Sequence, residues 1–155
     1  MNDNRALFDV LLAEIKQIVA ARRIRSKARM VCDLLRDRVS HYDWVGFYLV
    51  DPDRPNTLVI GPFAGTPTEH VRIGFGQGIC GQAAAREEAF VIQDITKETN
   101  YLSCSVHVKS EIVMPMFKDG KFIGELDIDS HTRVPFTDAD REFLAQVCEI
   151  VAELF

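Results

Sequence analysis

The chain has 155 residues and a formal charge of -5 at neutral pH, with no basic stripe along it. An acidic surface repels phosphate, so such a chain makes a poor nucleic-acid binder. Hydrophobic residues make up 47% and charged residues 26%, a balance that fills one globular core and argues against disorder, so residues 1–155 read as a single domain. The first twenty residues carry Asp3, Glu14 and Lys16 among their apolar positions, which fits neither a signal peptide nor a membrane span. No later stretch is long and apolar enough to cross a bilayer. The four cysteines, with no CxxC pair among them, then belong to a reducing, cytoplasmic compartment where lasting disulfides are rare.

In chain order, Asp3 to Ala21 places Leu7, Val10, Leu11, Ile15, Ile18 and Val19 at helical spacing, and Lys27 to Val39 does the same with Val31, Leu34 and Leu35. Both predict amphipathic helices. Trp44 to Val50 is rich in aromatic and β-branched residues and stops at Asp51-Pro52; Thr57 to Phe63 is a second strand signal. Arg72 to Gly81 is glycine-rich, Ile79 to Arg86 predicts a short helix, and Ala89 to Ile92 a short strand. Asp94 to Lys109 is polar without a clear period, a loop with room for a helical turn. Ile112 to Phe117 and Lys121 to Asp129 predict two strands joined at Asp119-Gly120, a strong hairpin signal. Asp138 to Phe155 closes the chain as a helix that Thr137 caps, with Asp140 three residues on. Helices, then a run of antiparallel strands, then a helix define an α+β fold. The terminal helices are expected on one sheet face and the long loops on the other.

Four thiols occur at 32, 80, 104 and 148. Cys32 beside Val31 and Leu35, and Cys148 beside Leu144 and Val151, read as small core hydrophobes. Cys104 sits in the polar run Asn100-Tyr-Leu-Ser-Cys-Ser105, and loops are where reactive groups are presented. Cys80 lies in Gly76-Gln-Gly-Ile-Cys-Gly81 near a helix start, where unpaired N–H groups favour a thiolate. Position alone also allows both to be partly buried spectators. With His70 and His107, Cys80 and Cys104 offer donors for a metal, but a zinc site needs four that converge and Cys104-x-x-His107 is a thin signal, so no metal is assigned.

Along Lys121 to Asp129 the side chains alternate, which places Glu125, Asp127 and Asp129 on one face opposite Phe122, Leu126 and Ile128. That face is either solvated or the floor of a polar pocket. In a pocket, crowding raises each carboxyl's pKa, so one stays protonated at neutral pH and can donate a proton. A two-residue turn at Asp119-Gly120 puts Glu111 on the face opposite Asp127, whereas a three-residue loop with Gly120 as a bulge puts Glu111 directly across from Asp127. Trp44 and Tyr48 share a face with Gly46 between them. This leaves a slot between two rings that suits a methylthio group, or a gap that the core fills.

Asp43-Trp-Val-Gly-Phe-Tyr48, Gly61-Pro-Phe, Gly76-Gln-Gly-Ile-Cys-Gly81, Ser110-Glu-Ile-Val-Met-Pro115, Lys118-Asp-Gly-Lys121 and Leu126-Asp-Ile-Asp-Ser130 occur in an order and spacing that resembles the free methionine-(R)-sulfoxide reductases of the GAF-domain superfamily, over residues 42–147. The resemblance implies a GAF fold with a central antiparallel sheet. It implies reduction of free L-methionine-(R)-sulfoxide by a cysteine thiolate through sulfenic acid and disulfide, without a cofactor. Cys104 matches the catalytic cysteine and Cys80 a cysteine that resolves the intermediate. Glu111, Asp127 and Asp129 match the carboxylates lining the substrate site, and Trp44 and Tyr48 the aromatics at its methylthio end. Glu125 has no counterpart. Many members carry another cysteine where this chain has His70, so resolution falls to Cys80 or to an outside thiol. The partners implied are free methionine sulfoxide, thioredoxin or another dithiol, and a second copy in a homodimer. The alternative within the same superfamily is a module that binds a ligand or senses redox state without turnover.

Overall fold

The computed structural model describes residues 3–23, 25–102 and 105–155. Two amphipathic helices, α1 (Arg5–Ala20) and α2 (Lys27–Arg38), lead into strands β1 (Trp44–Val50), β2 (Thr57–Ala64) and β3 (Arg72–Gly74). Helix α3 (Gly78–Arg86) and strand β4 (Phe90–Ile92) follow, then a single 3-10 turn at Ile95–Lys97. The hairpin β5 (Ser110–Lys118) and β6 (Lys121–Ser130) precedes α4 (Asp138–Val151), which ends in a 3-10 turn at Ala152–Leu154 rather than continuing as helix. The glycine-rich segment contributes β3, too short to carry a period of its own. Among the described residues no helix is long and apolar enough to cross a membrane.

All strand pairs are antiparallel, in the order β3-β2-β1-β6-β5-β4. Helices α1, α2 and α4 bury their apolar stripes on one face with Val45, Phe47, Ile112, Met114, Met116, Leu126 and Ile128. Phe8 of α1 stacks on Phe143 of α4 with ring centroids 4.2 Å apart. The opposite face carries Trp44, Tyr48, Leu58, Val113 and Phe122, packed under Ile79, Cys80, Ala83 and Ala84 of α3. A helix, and not loops alone, therefore roofs the face on which the chemistry-bearing residues lie.

The hairpin register corrects both sequence alternatives. Asp119-Gly120 is a two-residue turn, since Lys118 pairs with Lys121 and Phe117 with Phe122. Met116 then pairs with Gly124, which leaves Ile123 as an extra residue, a β-bulge that advances the register by one. Glu111 consequently faces Asp129 directly, and Asp127 faces Val113. The bulge also turns Phe122 onto the face that Glu125, Asp127 and Asp129 occupy, contrary to simple alternation. A glycine is required just beyond it: Gly124 has φ +155°, and a Cβ there would run into the Tyr48 carbonyl oxygen on β1.

The cap of α4 is a full capping box between Thr137 and Asp140. Asp140, 1% exposed, accepts from the Thr137 N–H and hydroxyl (2.8 Å each) and from the Tyr42 hydroxyl (2.7 Å). His41 Nε2 lies 2.7 Å from the same carboxyl. Burial pushes the carboxyl up, but the hydrogen bonds from His41, Thr137 and Tyr42 outweigh it and hold the acid below its ordinary value. A lowered folded pKa gives stability that is complete above the unfolded value of about 4 and is lost as the pH falls through the folded one. Asp140→Ala removes a cap and strands the Tyr42 hydroxyl. We expect it to cost about 2 kcal/mol and lower Tm by about 6 °C at pH 7, with the gap to the parent chain closing on acidification. Thermal denaturation across pH 3–7 checks both.

Candidate active site

The centre of the sheet brings three acids into one row. On the face under α3, Glu125 of β6 is flanked by Tyr48 and Pro115, Asp127 by Gly46 and Val113, and Asp129 by Trp44 and Glu111. Glu125 is 0%, Asp127 and Asp129 2%, and Glu111 6% exposed, which settles against a solvated face. Burial pushes Glu125, Asp127 and Asp129 above the ordinary carboxylate range. For Glu125 and Asp129 the charge of Asp127 adds to the rise, whereas the Cys80 thiol offsets part of it at Glu125, and Glu111 and Cys80 do so at Asp127. Four carboxyl groups in so small a space cannot all ionise, so the cluster keeps protons at neutral pH.

Cys80 reaches this cluster from the first turn of α3. Its thiol donates to Glu111 Oε1 at 3.5 Å. The Cys80, Glu111 and Asp127 donor atoms lie within 4.8 Å of one another; the four-ligand set with His70 and His107 is not what converges among the described residues. The expectation of a favoured Cys80 thiolate is reversed. Burial pushes this thiol well above its ordinary value, and the charges of Asp127, Glu125, Glu111 and Asp129 push it further. A helix N-terminus contributes about half a positive charge at most, too little against four surrounding acids. Cys32 and Cys148 are core thiols as their helical positions imply, 0% and 3% exposed, and burial raises both. Iodoacetamide at pH 7.5 should therefore leave Cys32, Cys80 and Cys148 unmodified in the folded protein and label them only after unfolding. Peptide mass mapping checks this, and rapid native labelling of Cys80 would contradict the buried acid setting.

The aromatic pair is present, with ring centroids 6.4 Å apart, but the gap over Gly46 is not open. The Trp44 ring folds back over it and stacks on Phe63 at 5.6 Å, so a Cβ at Gly46 would collide with the Trp44 ring. Trp44 Nε1 donates to the Thr66 carbonyl and the Tyr48 hydroxyl to the His70 carbonyl, both at 2.9 Å. These bonds fix both rings. Tyr48, Cys80, Glu111 and Asp127 line a cavity of about 10 Å³ that Leu102 and His70 help to close, roughly the space one water needs. Trp44 and Asp129 line a second cavity of about 110 Å³ with Ser105 and His107. Residues 102 and 105 border the two cavities; Cys104 lies outside the described residues.

One residue at the site carried no signal in the sequence. Asn100 accepts from the Gly78 N–H at 2.8 Å and donates to the Gly76 carbonyl at 2.7 Å, while Gln82 donates to its backbone carbonyl at 3.1 Å. The loop before Cys104 is thereby pinned to the start of α3. Glu125 takes the face that alternation implies, but its flanking residues Tyr48 and Pro115 are set by topology rather than by its neighbours in the chain.

An antiparallel sheet with helices behind it and a helix-roofed acid pocket in front is the architecture of a GAF domain, and the GAF domain family model matches residues 3–154. A free methionine-R-sulfoxide reductase of Escherichia coli (strain K12) is 41% identical over 121 residues, 78% of this chain and 69% of the relative. The X-ray structure of free methionine-R-sulfoxide reductase from Neisseria meningitidis in complex with its substrate is 35% identical, with TM-score 0.90 over 99% of this chain and 90% of that one. The type II enzyme of Thermoplasma acidophilum is 32% identical, with TM-score 0.79 over 90% of this chain and 94% of that one. The chain belongs to the free methionine-R-sulfoxide reductase family of GAF domains.

Proposed function

We propose that this chain reduces free L-methionine-(R)-sulfoxide to methionine, with Cys104 as nucleophile and the carboxyl groups of Glu111, Asp127 and Asp129 as proton source and substrate ligands. The observation that carries the reading is the buried, proton-retaining acid cluster between the aromatic pair and Cys80. Oxide is a poor leaving group until protonated, so thiol attack on a sulfoxide needs a protonated acid at hand at pH 7, and burial shifts these acids toward the protonated form.

The Cys104 thiolate attacks the sulfoxide sulfur while one acid protonates the oxygen. The oxygen passes to Cys104 as a sulfenic acid, and methionine leaves as the thioether. The acid that gave its proton is now a carboxylate. Glu111, in contact with the Cys80 thiol, can then take the Cys80 proton as that sulfur attacks the sulfenic acid and pass it to the departing hydroxide, so that the Cys80–Cys104 disulfide forms, water leaves and the cluster stays one proton short until the thiols are restored. Cys80 is thus a neutral thiol at rest and gains its base from the first step. An outside dithiol of the thioredoxin type returns both thiols by exchange. A carboxylate of the same cluster holds the substrate ammonium group, which a residue within a polypeptide lacks, and Trp44 and Tyr48 face the methylthio end.

The test is incubation of the reduced protein with separate R and S epimers of free methionine sulfoxide and dithiothreitol, with methionine quantified. Methionine from the R epimer alone is expected. None from either epimer, with dithiothreitol or with thioredoxin, would overturn the reading in favour of a GAF module that binds without turnover.

A further inference from the structure

Glu125 has no place in the mechanism above, yet it is the most deeply buried acid of the cluster, with 0% exposure. The Cys80 thiol lies close enough to lower the Glu125 pKa somewhat but gives its one proton to Glu111, so neither Glu125 oxygen is left with a donor among the described residues, and Asp127 Oδ1, two residues along the same strand face, has none either. Tyr48, its neighbour on β1, commits its hydroxyl to the His70 carbonyl. Pro115, its neighbour on β5, has no polar side-chain atom. The titratable groups that face it are Cys80 from α3, Asp127 on its own strand and, through the sheet, Cys148 of α4. No basic group is among them, and a lone buried carboxylate without a cation is prohibitively unfavourable. Glu125 is therefore a neutral acid with one O–H to give, and the unpartnered Asp127 oxygen is the acceptor left to receive it.

We propose that Glu125 is a positioning residue, whose O–H is donated to Asp127 when Asp127 is ionised and so steadies the carboxylate formed when the sulfoxide oxygen takes its proton. This inference rests on the reductase reading of the site. It explains why an acid occupies a buried position where leucine would pack with less penalty: the benefit comes only when charge develops on Asp127. A donor held two residues away on the same strand face needs only a side-chain rotation, not solvent reorganisation, to meet a charge that develops on Asp127.

The experiment compares Glu125→Leu and Glu125→Gln with the parent chain. Leucine removes the donor, while glutamine keeps an N–H donor of similar reach and cannot ionise. The expected result is a kcat about 10-fold or more lower in Glu125→Leu with KM little changed, most of it restored in Glu125→Gln, and a Tm for Glu125→Leu equal to or above the parent. A filler role predicts the same Tm and an unchanged kcat. A folded Glu125→Leu with kcat within twofold of the parent would overturn the proposal, as would a Glu125→Gln as impaired as the leucine variant.

The pH dependence of Tm needs no turnover and is measured in parallel. An acid whose folded pKa is raised gives stability that is full below about pH 4 and lost as the pH rises through the folded value. Both variants should lose Glu125's share of that decline. If the parent chain turns over no sulfoxide but both variants flatten the decline, the reductase reading fails and Glu125 stands as the proton-bearing acid. If the decline is unchanged in both, Glu125 carries no proton and the positioning proposal fails, whatever the activity.

Discussion

Replacing Cys104 by serine should lower methionine formation by about 10⁴-fold or more, to background, while folding and substrate binding persist. A serine hydroxyl is far less nucleophilic than a thiolate at neutral pH, and no other thiol is placed to substitute. Cys32 and Cys148 lie on the helix side of the sheet, and Cys80 is held as a neutral thiol by burial and by the surrounding acids. Cys80→Ser makes the complementary test. It should leave a first burst of one methionine per chain, because the acids and Cys104 remain, and slow later turnovers until an outside thiol attacks the sulfenic acid directly. A chemical quench experiment without reductant reads both variants. A full burst from Cys104→Ser would remove Cys104 from the chemistry altogether.

The second large effect is expected at the acids. Asp127→Asn and Glu111→Gln each preserve shape and remove a transferable proton, and each should lower kcat/KM by about 10²–10³-fold. The two groups are hydrogen-bonded to each other, so the double variant should lose much less than the product of the single losses. The same argument sets the pH profile. The proposed mechanism requires one acid of the cluster to be protonated, and burial raises Asp127 and Asp129 above the usual carboxylate range. The alkaline limb of the kcat/KM profile should therefore fall well above pH 4, the ordinary carboxylate value of about that size. A limb at that ordinary value in the parent chain would mean that a different group supplies the proton.

Much of this architecture is legible in the chain. The strand at Trp44–Val50 and the helix starting at Lys27 follow from aromatic, β-branched and helical patterning, which are local signals. The shared face of Glu125, Asp127 and Asp129 follows from alternation, and the cap on α4 from Thr137 and Asp140. What local signals cannot carry is how separate segments meet. The pairing of Glu111 with Asp129 depends on a bulge at Ile123 that no turn residue announces. The reversal of Cys80 from favoured thiolate to suppressed thiol depends on α3 landing over the acids of β6, forty-odd positions later in the chain. Glu125 reads as one more strand acid until Pro115 and Tyr48 are placed beside it, and only then does the absence of a basic partner among the described residues emerge. The Trp44 ring fills the space over Gly46 because Phe63, on another strand, offers it a stacking surface.

The bulge at Ile123 also bears on how this hairpin can change in length. It lies beyond the stretch of β6 that pairs with β1, which ends at Gly124. Deleting Ile123 would join Phe122 to Gly124, leave every later pair with β5 and β1 as it stands, and convert the bulge to regular ladder. A deletion of one residue between Glu125 and Ser130 would instead exchange the two faces of part of the strand, turning acids toward the helices and Leu126 or Ile128 into the pocket. The hairpin thus has a site where it tolerates a change of one residue, next to a six-residue stretch where it tolerates none. Natural length variation in this hairpin is expected to fall between the turn and Gly124.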